Sequence, residues 1–171
     1  KRILNGEWEF EFDDGNTGEN NRRYSGGTDF HERIIVPFCY QSKMSNIDSR
    51  EMHENLWYKR AFELPESFAG KRILLKFGAV DYIAKVWVNG ELAGIHKGGY
   101  TPFSIDITRF INHDQNVLVV KAEDPYDCTQ PRGKQYWNQK GERCWYTPTS
   151  GIWQTVWLEA VGDLYIDRMM M

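Results

Sequence analysis

The sequence has no excess of positive charge. Its 21 lysine and arginine residues are outnumbered by 24 aspartate and glutamate residues, and the formal net charge is −3. Binding to the phosphate backbone of a nucleic acid depends on a basic surface, so a general nucleic-acid partner is excluded. Apolar runs are also short. None approaches the roughly 20 residues that a membrane-spanning helix needs, so no membrane partner is expected.

The N-terminus lacks the apolar centre of a secretory signal peptide, because residues 1–10 turn polar after two apolar positions. A signal peptide that had already been removed would leave no trace in this sequence. The sequence therefore leaves the compartment open between a cytoplasmic, a periplasmic and an extracellular location.

Cysteines are few, and Cys39, Cys128 and Cys144 match no metal-ligand spacing. Their odd number favours free thiols, although Cys128 and Cys144 flank one loop and a disulfide between them stays open. The His-Glu pairs at 31–32 and 53–54 lack the second histidine of a zinc-binding helix. Because a glycine-rich phosphate loop is missing too, no metal and no cofactor is expected.

Sustained helical periodicity is missing as well, and one helical turn after Asp106 is the most that the pattern allows. Aromatic residues make up 15% of the chain, which favours strands over a helical bundle. Trp8, Phe10 and Phe12 alternate with acidic residues, so they predict a strand with one apolar face. Further strands are predicted at residues 57–65, 72–80, 103–107, 116–124 and 151–161.

A hairpin is predicted where Asn89-Gly90 separates two apolar runs, since this dipeptide suits a two-residue type I′ turn. A parallel sheet would need crossover helices, for which the spacing of the strands leaves no room. The 171 residues are enough for one domain with a sizeable core. The sequence therefore predicts an all-β domain built as an antiparallel jelly-roll β-sandwich.

Several segments are predicted to connect these strands. Asp14–Asp29 is polar and rich in glycine and asparagine, which predicts a flexible surface loop. Gly98-Gly99 predicts a tight corner with Tyr100 as its packed anchor. His96, just before this corner, is interpreted as a hydrogen-bonded residue at a strand end rather than as a ligand.

The segment from Arg132 to Tyr146 is the strongest functional signal, because it alternates flat aromatic rings with side chains that offer several hydrogen-bond donors. A sugar presents apolar C–H faces and a rim of hydroxyl groups, which rings and such donors recognise. Long ordered loops are also often functional. The candidate sugar contacts in this loop are Arg132, Gln135, Trp137, Trp145 and Tyr146.

For the tryptophans, packing is the alternative to stacking on a sugar. Trp153 and Trp157 lie on the following predicted strand, and we expect them in the core. For Trp137 and Trp145, a small satellite core beneath the loop and a surface that contacts a sugar stay equally open.

Carboxylates follow several of the predicted strands. Asp81 and Asp106 are interpreted as residues that cap or satisfy turns. Asp124 is different, because it ends an apolar strand immediately before a long loop, where binding residues are often found. Asp124 is therefore a further candidate for the site, with a structural role as the open alternative.

Four stretches together resemble the N-terminal sugar-binding domain of family 2 glycoside hydrolases, which include β-galactosidases, β-glucuronidases and β-mannosidases. They read "ENLWYKRAFELP", "DYIAKVWVNGELAGIHKGGYTPFSIDIT", "VKAEDP" followed by "RGKQYW", and "YTPTSGIWQTVWLE". The variants "RGKQYW" and "VPFC" are similar to those of bacterial members. The resemblance implies a galactose-binding-like jelly roll over residues 1–161, followed at 162–171 by a linker and the start of an immunoglobulin-like domain.

The resemblance also implies that catalysis takes place elsewhere. Family members hydrolyse glycosidic bonds with retention, using two glutamates of a downstream TIM barrel, and a barrel needs about 250 residues. This chain is then expected to be an inactive fragment of a larger enzyme that acts on β-glycosides, with homo-oligomerisation of that enzyme left open. The resemblance places Asp124, Trp145 and Tyr146 at the edge of the sugar pocket. A stand-alone carbohydrate-binding module and a structural docking module are the alternatives.

Overall fold

The structure is a computed structural model that describes residues 1–138 and 142–166. Short strands dominate this part of the chain, and its helices are single 3₁₀ turns. The strands are β1 (Arg2–Ile3), β2 (Gly6–Phe12), β3 (Glu32–Val36), β4 (Asn55–Glu63), β5 (Arg72–Phe77), β6 (Val80–Asp81), β7 (Ile83–Val88), β8 (Glu91–Lys97), β9 (Phe103–Asp106), β10 (Gln115–Glu123), β11 (Gly151–Ile152) and β12 (Val156–Val161). The 3₁₀ turns are Arg23–Ser25, Lys43–Ser45, Glu66–Phe68 and Thr108–Phe110.

The strands form two facing sheets and a short ribbon. One sheet has the order β3-β2-β4-β10-β7-β8, the other has the order β1-β12-β5-β9, and β11 pairs with β6. All of these strand pairs are antiparallel. The structure therefore confirms the predicted jelly-roll β-sandwich, and the single turn Thr108–Phe110 is the helical turn expected after Asp106.

The core lies between the sheets and follows the period-two pattern of the strands. In β2, Trp8 and Phe10 are buried on the inner face, as their alternation predicts. In β4, Leu56 and Tyr58 point into this core, whereas Trp57 belongs to a separate cluster on the outer face. The central strands are therefore buried on both faces, which explains their nearly continuous apolar sequences.

The predicted hairpin is present between β7 and β8. Asn89 has a φ of 52° and Gly90 a φ of 83°, the two positive values that a type I′ turn requires. The Asn89 side chain also donates from Nδ2 to the carbonyl oxygen of Phe110 at 2.7 Å. Local sequence and a tertiary contact thus specify the same turn.

The segment Asp14–Asp29 differs from the flexible loop that its composition predicts, because it is bound to the outer face of the six-stranded sheet. Just before it, the carboxylate of Asp13 accepts hydrogen bonds from the backbone N–H groups of Thr17 and Gly18 at 3.0 and 2.8 Å. Glu19 accepts from Lys85 and from Lys121, whose side chain is 1% exposed, at 2.7 and 3.0 Å. Glu19 of this segment is thus a second acidic partner, besides Glu123, for these two lysines of the sheet.

The region predicted as one closing strand is divided into β11 and β12, and Trp153 lies between them. Gly151 begins β11 with a φ of 84°, and a β-carbon there would collide with the hydroxyl of Tyr58. Trp153 and Trp157 are half-buried and lie outside the core, which corrects the prediction for both. The inner face of β12 is formed instead by Val156 and Leu158, which are fully buried.

Strand β12 ends at Val161, and the boundary proposed there stays a prediction. Residues 167–171 of the expected following domain lie outside the described residues. The three cysteines are free, as their odd number favoured. In the two described ranges, no helix is long and apolar enough to cross a membrane.

Candidate functional site

A cavity of about 390 Å³ opens at one end of the sandwich, between the sheets and the predicted sugar-binding loop. Three of the predicted site residues, Arg132, Gln135 and Tyr146, lie on its wall. The rest of the wall comes from Asp81, Tyr100, Gly133, Lys134, Thr147, Thr149 and Trp153. The cavity therefore joins the loop to parts of the chain that are distant in sequence.

Gln135 fixes the loop to the sandwich through both ends of its amide. The Nε2 group donates to Oδ2 of Asp81 at 3.0 Å and to the hydroxyl of Tyr100 at 3.1 Å. The Oε1 atom accepts from the backbone N–H of Thr149 at 2.7 Å and from its hydroxyl at 3.1 Å. Because both amide hydrogens and the amide oxygen have partners within the chain, Gln135 positions its neighbours in the cavity.

Asp81, which sequence reasoning assigned to a turn, lies instead on the wall of this cavity. It ends β6, is 4% exposed and faces the cavity. Its carboxylate lies against Gly99, where a β-carbon would collide with Oδ1, so the Gly98-Gly99 sequence was the signal that a side chain approaches closely here. Asp106 does cap a turn as expected, because it accepts from the backbone N–H of Thr108 at 3.0 Å.

The environment of Asp81 favours its protonated form. Burial and the nearby charge of Asp124 raise the pKa of Asp81 to about 6, against the opposing effects of the Gln135 hydrogen bond and the Arg132 charge. Binding and catalytic sites often contain a carboxyl group whose pKa is shifted toward neutral pH on the wall of a cavity.

Tyr100 and Trp153 complete this wall and were assigned to packing by their sequence context. Tyr100 is 50% exposed, so it is not the packed anchor that was predicted. Its ring meets that of Trp153 edge to face, with the ring centroids 6.2 Å apart. The indole N–H of Trp153 donates to the carbonyl oxygen of Gly99 at 2.8 Å, which holds the ring against the corner. His96 lies nearby as a strand-end residue, bonded to Thr101 at 3.2 Å as expected.

Asp124 lies beneath the loop and not on the wall of the cavity. It is 0% exposed, and its carboxylate accepts from Gln130, Arg132 and Ser150 at 2.7, 2.9 and 2.6 Å. Burial raises its pKa, with Ser150 and Arg132 acting in the opposite direction. Asp124 thus joins both ends of the loop, and its expected contact with a ligand stays a prediction that this geometry does not support.

Arg132 is buried by the same arrangement, with 7% of its surface exposed. Its guanidinium donates to Asp124 and to the backbone oxygens of Pro125 and Asp127, so most of its donors serve the loop. Its Nη1 atom is buried and has no hydrogen-bond partner in the described part of the chain. Arg132 is therefore chiefly a structural cation, with the two N–H groups of one nitrogen left over.

The tryptophans of the loop form a cluster with Tyr136 beside the cavity. The Trp137 and Trp145 rings meet edge to face at 5.1 Å, and Tyr136 stacks on Trp145 at 6.0 Å. Trp137 is 39% exposed, whereas Tyr146, on the cavity wall, is 63% exposed. The cluster is thus a satellite of packed rings with an exposed side, and contact of Trp137 or Trp145 with a sugar stays a prediction.

Other cavities, of 620 and 630 Å³, contain none of the predicted site residues. In residues 1–138 and 142–166, no group of three histidine, cysteine, aspartate or glutamate side chains is arranged to hold a metal ion. The end cavity instead offers a carboxylate, a phenol and aromatic rings, which can bind the hydroxyls and C–H faces of a sugar.

Comparisons with known proteins agree with this chemistry. The sequence profile of the glycosyl hydrolases family 2 sugar binding domain matches residues 1–159. A β-galactosidase of Thermoanaerobacter pseudethanolicus is 36% identical over 64% of this chain, and a β-glucuronidase of Paenibacillus borealis is 34% identical over 63%. The chain spans only 14% and 18% of the lengths of these two curated relatives.

A solved structure of a β-glucuronidase from an uncultured Clostridium species is similar to 95% of this chain, with a TM-score of 0.76 and 27% sequence identity. The match covers 29% of that protein. Fold, sequence profile and relatives therefore agree, and the chain belongs to glycosyl hydrolase family 2, in which it corresponds to the sugar-binding domain.

Proposed function

We propose that this chain is the N-terminal, non-catalytic domain of a larger retaining β-glycosidase and that its end cavity forms one edge of the active site. The observation that carries this proposal is the cavity itself. There, Gln135 holds the loop, Asp81 and Tyr100 together, and Tyr146 and Trp153 add flat rings to the wall. Such a combination of polar groups and rings suits a carbohydrate.

The position of the carboxylates supports a non-catalytic role. A retaining glycosidase needs two carboxyl groups that both reach the glycosidic bond, about 5 Å apart. Asp81 faces the cavity, but its charged neighbour Asp124 is 0% exposed and already accepts three side-chain hydrogen bonds. The two therefore do not form a pair that can act on one substrate, and the bond-breaking glutamates are expected on a downstream barrel.

The proposal is tested by comparing this chain with the longer protein encoded by its gene. Both are assayed for hydrolysis of aryl β-galactosides and aryl β-glucuronides. We expect the longer protein to hydrolyse one of these substrates and the 171-residue chain to remain at the blank rate. Hydrolysis by the isolated chain above the blank, or a gene without a barrel that carries two glutamates, would contradict the proposal.

The exposed aromatic cluster favours a second candidate function, docking onto another domain or subunit. Trp137 is 39% exposed although it belongs to a ring cluster, and tryptophans are enriched in protein interfaces. Replacing Trp137 with alanine in the longer protein separates the two functions. Docking predicts a change in assembly or in the melting temperature, whereas a sugar contact predicts a higher KM with unchanged assembly.

A further inference from the structure

The Asp81–Tyr100 pair has hydrogen-bonding capacity that the chain itself does not use. Gln135 donates one amide hydrogen to Oδ2 of Asp81 and the other to the oxygen of Tyr100. Because the Tyr100 oxygen accepts this bond, the phenolic hydrogen remains available as a donor. The Oδ1 atom of Asp81 has no hydrogen-bond partner among residues 1–138 and 142–166, so it remains available as an acceptor.

These two groups are held in place by their surroundings. Asp81 is only 4% exposed, and Gly99 lies directly against its carboxylate. Tyr100 is fixed at its hydroxyl by Gln135 and at its ring edge by Trp153. The acceptor and the donor therefore share one hydrogen-bonded neighbour, which fixes their mutual geometry before any ligand binds.

Trp153 supplies an apolar surface beside the two polar groups. Its indole N–H is already donated to Gly99, so only its ring is available to a ligand in the cavity. Aromatic rings bind the C–H faces of flat, partly apolar molecules. The wall thus offers an acceptor, a donor and a ring next to each other.

We infer that Asp81 and Tyr100 form a subsite for two neighbouring hydroxyl groups of a neutral sugar ring. One hydroxyl donates to Oδ1 of Asp81, the next accepts from the phenol of Tyr100, and the C–H face of the ring lies on Trp153. The inference rests on the proposed function, in which the cavity faces a carbohydrate. Beyond the proposed function, the inference specifies which atoms of this domain bind the sugar and which arrangement of sugar hydroxyl groups they select.

The charge of Asp81 favours a neutral ligand at this subsite. A ligand carboxylate placed against Asp81 would meet a like charge in a buried site. The guanidinium of Arg132 does not compensate fully, because it already pairs with Asp124 at 2.9 Å. An anionic sugar therefore has to direct its carboxylate away from Asp81, whereas Lys134 on the same cavity wall carries the opposite charge.

The subsite is tested by NMR titration of the 171-residue chain with methyl β-D-galactopyranoside and methyl β-D-glucopyranoside. At about pH 7.5, above the pKa of Asp81, the indole N–H signal of Trp153, assigned with Trp153→Phe, reports binding. We expect Asp81→Asn and Tyr100→Phe each to weaken the apparent Kd about fivefold or more, as for the loss of one hydrogen bond.

Matched variants separate this loss from general damage to the fold. Asp106→Asn removes a carboxylate that caps Thr108 at a strand end, and Tyr24→Phe removes the hydroxyl of a ring that stacks on Trp87 outside the cavity. Both are expected to keep the wild-type Kd. Deoxy analogues of the bound methyl glycoside complete the test. Removing the hydroxyl that contacts Asp81 should weaken binding to the wild type but not to Asp81→Asn.

Two results would overturn the inference. One is a Trp153 indole signal that stays unchanged with both glycosides at about 100 mM, a concentration at which even a weak site is occupied. The other is equal weakening in the Asp81, Tyr100 and control variants. Neither result depends on hydrolysis by the longer protein. If the longer protein is active while the chain fails to bind, the subsite is wrong and the proposed function stands. If the chain binds a glycoside but the longer protein hydrolyses no substrate, the subsite stands and the proposed function is wrong.

Discussion

The Nε2 group of Gln135 lies 3.0 Å from Oδ2 of Asp81, which is 54 residues away in the sequence. The same group donates to Tyr100, and the amide oxygen of Gln135 accepts two hydrogen bonds from Thr149. One side chain therefore connects β6, the corner after β8 and both ends of the long loop. Four hydrogen bonds around the cavity thus depend on this amide.

Replacing Gln135 with alanine should lower the free energy of unfolding by about 1 to 3 kcal/mol, because it leaves the buried carboxylate of Asp81 without its donor. Urea unfolding followed by tryptophan fluorescence measures this change. Gln115→Ala, at the exposed start of β10, is the matched control and should stay within about 0.5 kcal/mol of the wild type. Equal effects of the two substitutions would show that the Gln135 bonds contribute nothing specific.

Asp81 predicts a pH dependence of stability whose sign follows from its raised pKa. The folded chain binds this proton with a pKa of about 6, against the ordinary value of 3.8, so the folded state holds the proton more tightly than the unfolded state. The contribution of Asp81 to stability therefore falls by about 2 to 3 kcal/mol as the pH rises from about 4 to about 6, and it stays lower above that range.

Asp81→Asn should remove this cost. The variant is expected to match the wild type near pH 4 and to exceed its stability above about pH 6, since the amide can accept from Gln135 without carrying a charge. Acidic groups that do not interact with Asp81 cancel in the difference between the two unfolding free energies, which therefore reports Asp81 together with its charge interaction with Asp124. A difference that stays constant from about pH 4 to 7 would contradict the burial-raised pKa.

Gly99→Ala should damage the site without removing any group that faces the cavity. The new β-carbon would collide with the Asp81 carboxylate, so one of the two must move. We expect a loss of about 1 to 3 kcal/mol in unfolding free energy, together with a shifted Trp153 indole signal. Gly27→Ala, where the nearest atom is a serine hydroxyl at 3.8 Å, serves as control and should leave both properties unchanged.

Glu19→Ala should release the segment Asp14–Asp29 from the sheet. Glu19 accepts from Lys85 and from the buried Lys121, which keeps Glu123 as its remaining acidic partner. The expected loss is about 1 to 2 kcal/mol, with faster hydrogen exchange at the Thr17 and Gly18 amides. Exchange rates like those after Glu91→Ala, at an exposed position of the hairpin, would mean that the lysine contacts do not hold this segment.

Periodicity and turn chemistry were enough to predict the strands and the sandwich, because both are local properties of the chain. Asn89-Gly90 encodes its turn within two residues, and the alternation of Trp8 and Phe10 encodes the inner face of β2. The division between β11 and β12 was missed. It depends on Trp153 turning toward Gly99, and that contact spans 54 residues.

The site was predicted only in part for the same reason. Donor-rich and aromatic residues marked the loop, and Arg132, Gln135 and Tyr146 do line the cavity. Asp81 and Tyr100 carry no local signal beyond the neighbouring glycines, because their proximity arises from the packing of the sheets. The order of Asp14–Asp29 was missed because its polar residues bind lysines of distant strands rather than water.

The walls of the end cavity come from β6, from the corner at Tyr100 and from the loop that begins after β10, so the cavity exists only when the whole sandwich is folded. A ligand that binds there has no equivalent site on the unfolded chain. Its binding therefore raises the melting temperature of the entire domain in proportion to the logarithm of the free ligand concentration above Kd. Thermal denaturation can thus serve as a screen for sugars that occupy the cavity.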